Sequence, residues 1–119
     1  MKWPTPIDLR KLIESKVFPS VSLYMPTHIT GQELRENPIR FKNLITKCRD
    51  ILKKHLPQEK AEYLLSPAYD LLTYNIFWQE RGKGLAMFIT PQFSQYNHLC
   101  IEPKTNIYVG DYLHILPLI

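Results

Sequence analysis

Residues 37–55, NPIRFKNLITKCRDILKKH, form the stretch that decides how this chain folds. The apolar residues of this stretch recur every three or four positions, which is the spacing of one helix face. They are Phe41, Leu44, Ile45, Cys48, Ile51 and Leu52. Asn37 followed by Pro38 is typical of a helix start, with Asn37 as the cap and proline as the first helical residue. The sequence therefore predicts an amphipathic helix from roughly Asn37 to His55.

The same stretch concentrates the positive charge of the chain. Its cations are Arg40, Lys42, Lys47, Arg49, Lys53 and Lys54. Because Asp50 is the only carboxylate among them, the stretch carries a formal charge of +5, more than the +4 of the whole chain. A concentrated basic face favours an anionic partner such as nucleic acid. Composition alone leaves a second interpretation open, a basic helix face that is merely solvated.

The remaining segments predict an α+β fold with a largely antiparallel sheet and helices on one or both of its faces. Alternating or continuous apolar residues predict strands at 20–25, 85–89, 94–101 and 107–109, with a last extended piece at 112–116. Capping residues and prolines predict further helices at 5–16, 58–65 and 66–74. Pro19 is expected to separate the first helix from the first strand, and Gly110-Asp111 is expected to form a turn.

The 119 residues are expected to form one domain, 1–119. The proportions of 45% hydrophobic and 22% charged residues are ordinary for a globular protein. Residues 1–6, MKWPTP, lack the apolar core of a secretory signal, and no apolar run is long enough to cross a membrane. Cys48 and Cys100 are interpreted as buried thiols rather than a disulfide, so we expect a cytoplasmic protein without a membrane partner. The apolar end at 112–119 predicts an N-terminal domain excised from a longer protein.

Enzymatic and metal sites find little support in the sequence. His28 and Glu33 could serve a small hydrolase, but no serine or cysteine stands in a recognisable nucleophile context. The histidines are scattered, so no metal and no cofactor are expected. The glycines and cations of residues 81–84, RGKG, match no phosphate-binding motif and are interpreted as an exposed hairpin turn. We therefore expect a protein that is not an enzyme.

A polar loop, residues 27–36, leads into the basic helix. Loops on rigid scaffolds often carry function, and contact with a nucleic-acid backbone needs cations with neutral donors beside them. The candidate contacts with RNA or a ribosome are Thr27, His28, Thr30, Gln32, Asn37, Arg40, Lys42, Asn43, Lys47 and Arg49. Among these, Thr27, His28 and Asn37 are expected to position the loop.

Four segments, in the same order along the chain, resemble the bacterial relatives of archaeal and eukaryotic class-1 peptide release factors. Residues 22–28, SLYMPTH, resemble that family's Ser-[Ile/Leu]-Tyr-Leu-Pro-Thr-His element, and residues 37–44, NPIRFKNL, resemble its Asp-Pro-Ile-Arg-Leu-Lys-Asn-Leu. Residues 77–88 contain counterparts of its Phe-Trp and Gly-Leu-Ala-Leu-Phe. Residues 109–118, VGDYLHILPL, are similar to its Val-Gly-Asp-Arg-Phe-His-x-x-Pro-Leu.

The resemblance implies a release-factor N-terminal domain, an α/β sandwich with a four-stranded sheet, followed in the full proteins by further domains. It implies a non-catalytic module that contacts the ribosome, ribosomal RNA or transfer RNA, in ribosome rescue or a translational stress response. The Asn-Ile-Lys-Ser loop of the decoding factors is replaced by Asn37-Pro38-Ile39-Arg40, and Gly110 stands where their decoding element has cysteine. These departures count against stop-codon reading. The alternative is an interaction domain whose basic helix packs on other domains of its parent protein.

Overall fold

The computed structural model describes residues 12, 14, 16–27, 35–79 and 82–115. Four strands and four helices are described over their full lengths. The strands are β1 (Lys16–Pro26), β2 (Gly84–Ile89), β3 (Ser94–Leu99) and β4 (Asn106–Tyr112). The helices are α1 (Glu36–Leu52), α2 (Gln58–Leu64), α3 (Ser66–Leu72) and α4 (Asn75–Gln79).

The strands form one antiparallel sheet in the order β3-β2-β1-β4. Val21 in β1 stands opposite Ile89 in β2 and Val109 in β4, while Ile89 pairs with Ser94 across the hairpin to β3. The hairpin is closed by Thr90, whose N–H donates to the carbonyl of Phe93 at 2.8 Å. The α+β class, the antiparallel sheet and this hairpin are confirmed. The apolar run at 85–89 is, as expected, an inner strand that is buried throughout.

Strand β1 has both of its faces buried. Val21, Leu23 and Met25 belong to the core that the helices cover. On the other face Tyr24 packs in a second, smaller core that includes Leu12 and Leu113. His114 fastens this second layer, because its N–H donates to Ser22 Oγ at 2.8 Å and its carbonyl accepts from the Tyr24 hydroxyl at 2.6 Å. The alternation of the sequence thus separates two cores.

The helices pack on the sheet face that carries Val21, Leu23 and Met25. The predicted stripe of α1 supplies Phe41, Leu44, Ile45, Cys48 and Leu52, all of them buried, whereas Ile51 is half-buried. Helix α4 was missed by the sequence analysis, which placed a turn after Trp78. It is held by the Trp78 indole N–H, which donates to the Leu71 carbonyl at 2.8 Å. None of the helices in the described ranges is long and apolar enough to cross a membrane.

Two predicted breaks lie inside strands. Strand β1 begins at Lys16, where the first helix was expected to end, so Pro19 does not separate the two elements. The register with β4 shifts between Lys16 and Ser20, and pairing with β2 starts only at Val21. Proline therefore occupies an irregular part of the strand, where its missing N–H costs no regular ladder bond. Leu12 and Glu14 are helical, and the other residues of the predicted 5–15 segment lie outside the described residues.

The predicted Gly110-Asp111 turn is also wrong, because both residues belong to β4 and Gly110 pairs with Ser20. Pairing with a central strand overrides the local turn preference of this dipeptide. Residues 82–83 join α4 to β2 and do not form a hairpin turn. Arg81 and residues 116–119 lie outside the described residues.

The helix starts differ slightly from the prediction. Helix α1 begins at Glu36 after Arg35, with no side-chain cap, so the prediction that Asn37 caps it is wrong. Pro38 is the third helical residue, which is tolerated because N–H groups of the first turn have no partner within the helix. Ser66 was likewise expected to cap α3 but is its first residue.

Candidate nucleic-acid interface

Helix α1 presents its polar surface to solvent because its apolar stripe is buried in the core. Lys42, Asn43, Lys47, Lys53 and Lys54 are exposed, whereas Arg40 and Arg49 are half-buried. The stripe divides these side chains into two flanks of the helix, which follow from the angle of about 100° between successive residues. Arg40, Asn43 and Lys47 lie on one flank, and Lys42, Arg49 and Lys53 lie on the other.

The flank that carries Arg49 faces helix α2, and we call it the α2 flank (Lys42, Arg49, Lys53). Arg49 Nη1 lies 3.9 Å from Glu62 Oε1, so this arginine has a carboxylate of the same chain beside it. Glu62 Oε1 also accepts a long hydrogen bond of 3.5 Å from the Gln58 amide. The charge of Arg49 is therefore partly balanced within the protein.

The other flank faces the start of β4, and we call it the β4 flank (Arg40, Asn43, Lys47). These three side chains line a hollow of about 180 Å³ together with Met25, Leu44 and Thr105. One nitrogen of the Arg40 guanidinium, Nη1, is buried and has no hydrogen-bond partner in the part of the chain that the structure describes. Among the described residues no carboxylate forms an ion pair with Arg40 or Lys47 or lines the hollow, although Glu36 lies one helical turn before Arg40.

The structure describes two of the three loop-positioning candidates, Thr27 and Asn37, and neither lines this hollow. The Thr27 hydroxyl donates to the Gly82 carbonyl at 2.7 Å, and the Thr27 N–H donates to the Lys83 carbonyl at 3.1 Å. Thr27 thus ties the end of β1 to the start of β2. The Asn37 side chain is 3% exposed, so it faces the protein interior and does not present donors to a ligand. A structural role is consistent with both positions.

Three of the candidate contacts, His28, Thr30 and Gln32, lie outside the described residues, and so does the Glu33 of the hydrolase hypothesis. Of the residues that the structure describes, it brings Arg40, Asn43 and Lys47 together in one hollow and separates Lys42 and Arg49 from them. Sequence reasoning missed Thr105, which joins the hollow from the segment before β4. Its only local signal is the polar pair Lys104-Thr105 after Pro103, which is ordinary for a loop.

The other chemical candidates are dispersed or occupied. Within the described ranges no group of three or more histidine, cysteine or acidic side chains could hold a metal ion. His114 stacks on Tyr108, with ring centroids 3.9 Å apart, and Asp111 is exposed. Both cysteines are free, but only Cys48 is buried. The prediction that Cys100 is a buried strand residue is wrong, because it is exposed and follows the end of β3.

Comparisons with known proteins do not identify a function for this site. No protein-family model matches the chain, and no curated protein is found to be related to it in sequence. The likeness to release-factor relatives therefore stands on the four quoted segments, and the geometry of α1 is the structural ground on which a function can be argued.

Proposed function

We propose that this domain contacts ribosomal or transfer RNA, on or off the ribosome, through the solvent-facing side of α1, and that it does so without catalysing a reaction. The observation that carries the proposal is that three cations of this helix have no ion-pair partner among the described residues. Lys42, Lys47 and Arg40 form no ion pair with any described residue, and the two lysines are exposed. Unpaired cations beside a neutral donor such as Asn43 are the chemistry that binds a phosphate backbone.

The rigidity of the helix supports the proposal. Because α1 is anchored by five buried stripe residues, the backbone positions from which its cations project are fixed relative to one another. A surface that is already arranged loses less conformational entropy on binding than flexible side chains on a loop would. The backbone of single-stranded RNA contributes about 0.7 to the logarithmic salt slope for each phosphate that a cation neutralises.

The test is co-sedimentation of the full chain with ribosomes, and its affinity for a single-stranded RNA, at about 50 and about 200 mM salt. If Arg40, Lys42 and Lys47 each neutralise one phosphate, affinity falls roughly tenfold or more between these concentrations. Arg40→Gln/Lys47→Gln should weaken binding strongly. The matched control is Lys16→Gln/Lys83→Gln, which removes the same charge from exposed positions outside α1. Binding that is independent of salt, or equal losses in the two double variants, would contradict the proposal.

An interaction domain is the second candidate, and exposed aromatic residues favour it. Phe18 and Tyr63, 45% and 82% exposed, line a second hollow of about 490 Å³ between β1, α2 and the β2–β3 turn. Exposed aromatic side chains are enriched where proteins meet. In this case Tyr63→Ala would abolish co-sedimentation with ribosomes while leaving the affinity for free RNA unchanged. The RNA proposal instead expects Tyr63→Ala to leave both measurements unchanged and Arg40→Gln/Lys47→Gln to weaken both.

A further inference from the structure

We infer that the hollow on the β4 flank, lined by Arg40, Asn43, Lys47 and Thr105, is a discrete binding site for one phosphate group. The inference rests on the proposed function, in that the phosphate is assigned to an RNA backbone. It narrows that function from a charged helix surface to a single site, and it adds Thr105, a residue outside the helix.

The first argument is the unsatisfied guanidinium. Arg40 Nη1 is buried, and no described group accepts a hydrogen bond from it. A buried donor on a charged group is costly when it has no partner, and proteins seldom leave one so. Arginine presents its donors as a planar fork that matches the oxygens of a phosphate. An anion in the hollow would supply the missing acceptor once the guanidinium turns Nη1 towards it, because no described group of the protein does so.

The second argument is the set of groups around the hollow. Lys47 contributes an ammonium, Asn43 an amide N–H₂ and Thr105 a hydroxyl, so every polar side chain that lines it can donate. No described carboxylate lines it, so no acidic side chain of the lining repels an anion there. Met25 and Leu44 supply apolar walls, and reduced access of water strengthens charge-assisted hydrogen bonds.

The third argument is size and placement. Sites for whole small molecules usually enclose roughly 300 to 1,000 Å³. At about 180 Å³ this hollow suits one phosphate group whose remaining molecule stays outside. Arg40, Asn43 and Lys47 follow one another at intervals of three and four, so they stand in a row on one side of the helix. Thr105, in the segment before β4, adds a hydroxyl to the lining of the hollow from outside the helix.

The shared chemistry is a phosphate, which can come from an RNA backbone or from a free phosphate-bearing molecule. The test is an NMR titration of the ¹⁵N-labelled full chain with inorganic phosphate and, separately, with a uridine decanucleotide at constant ionic strength. Both probes should shift the amide signals of Arg40, Asn43, Lys47 and Thr105. Thr105→Val removes the hydroxyl without changing the charge and should weaken both probes about tenfold.

The matched control is Thr46→Val. Thr46 is exposed on the outer side of α1, and its hydroxyl donates to the Lys42 carbonyl at 3.1 Å, so the variant loses a hydroxyl away from the hollow. It should change neither affinity more than about twofold, since a surface substitution away from the site has little effect.

The outcomes separate this inference from the proposed function. Binding of the decanucleotide with unchanged affinity in Thr105→Val, and without shifts at the hollow, overturns the phosphate site and leaves RNA contact standing. Binding of inorganic phosphate at the hollow without binding of the decanucleotide supports the site and overturns its assignment to RNA. If neither probe binds the protein at all, both proposals are overturned.

Discussion

The two flanks of α1 carry similar side chains but meet different surroundings. On each flank an arginine is half-buried and has a buried nitrogen that no described residue accepts a hydrogen bond from, Nη1 of Arg40 and Nε of Arg49. The chain places Glu62 beside Arg49, at 3.9 Å, whereas among the described residues no carboxylate pairs with Arg40. The difference teaches that positive charge on a helix indicates a binding surface only where the fold leaves that charge unbalanced.

This distinction narrows the candidate contacts. Formal charge assigns Lys42, Arg49, Arg40 and Lys47 equal weight, because sequence counts cations without their neighbours. The fold adds Glu62 to one flank and the Thr105 hydroxyl to the other. We therefore expect the β4 flank to bind an anion more strongly than the α2 flank, and the following predictions are ordered by the size of the expected effect.

The largest effect should come from removing the support that both flanks share. Phe41 is fully buried, and the centroid of its ring lies 5.4 Å from the centroid of the Trp78 ring. Phe41→Ala should lower the free energy of unfolding by about 3 to 5 kcal/mol, because it leaves a cavity under the helix. Urea denaturation measures the loss. The control on the same helix is Ile39→Ala, at a residue 61% exposed, which should cost less than about 0.5 kcal/mol. Similar losses in both variants would show that the stripe does not anchor α1.

A second loss of stability, in the core that supports both flanks, should appear at alkaline pH. Burial raises the pKa of the Cys48 thiol from 9.0 to about 12, so the folded protein holds this proton more tightly than the unfolded chain. The contribution of the protonated Cys48 thiol to the free energy of unfolding is complete below pH 9 and is lost as the pH rises towards 12. Burial, and then the neighbouring Tyr108, raise the pKa of the Tyr24 hydroxyl as well, which adds to the loss above pH 10.

The expected slope for one thiol is at most about 1.4 kcal/mol per pH unit, so unfolding at about pH 10.5 should need roughly 2 kcal/mol less than at about pH 8. Urea denaturation of the protein and of Cys48→Ala at both pH values isolates the contribution of the thiol. The variant should be less stable at neutral pH and should lose less stability on going to alkaline pH. Equal slopes would mean that the thiol titrates alike in the folded and unfolded states.

An added carboxylate should make the two flanks alike. Thr105→Glu places a negative charge at the hollow, which repels phosphate and gives Arg40 and Lys47 a partner within the chain. The affinity for single-stranded RNA should fall about tenfold. Thr46→Glu makes the same change in net charge on the outer side of α1, and its loss should stay near twofold, since exposed charges are screened. If both variants lose affinity equally, the helix acts through its overall charge and the hollow has no special role.

The sequence predicts those features that depend on periodicity. The stripe of α1 needs only the helical repeat, and all of its residues but Ile51 are buried. The inner position of β2 follows from its continuous apolar run, because a strand covered on both faces has no reason to alternate. These features are local in the chain, so no knowledge of distant neighbours is needed to infer them.

Features that depend on distant neighbours escape the sequence analysis. Pro19 and Gly110 are read as breaks on local preference, yet each lies in a strand where pairing permits it. The exposure of Cys100 depends on β3 ending at Leu99. The hollow depends on Thr105 meeting α1, and the balance of charge on Arg49 depends on Glu62 in another helix. The sequence therefore predicts a basic surface on this helix, but not which of its two flanks has a carboxylate beside it.

The smallest effect should come from removing the carboxylate that distinguishes the α2 flank. Glu62→Gln keeps the shape of the side chain and leaves Arg49 without a charged partner. Because the pair is partly exposed and 3.9 Å long, the free energy of unfolding should change by less than about 1 kcal/mol. The affinity for single-stranded RNA should rise about twofold to threefold, since one more cation becomes available, and the salt slope should steepen by up to about 0.7. The matched control is Glu59→Gln, an exposed glutamate on the same helix that makes no ion pair among the described residues. An equal rise in Glu59→Gln would mean that net charge alone sets the affinity, whereas a rise confined to Glu62→Gln would show that the chain restrains one flank of its own basic helix.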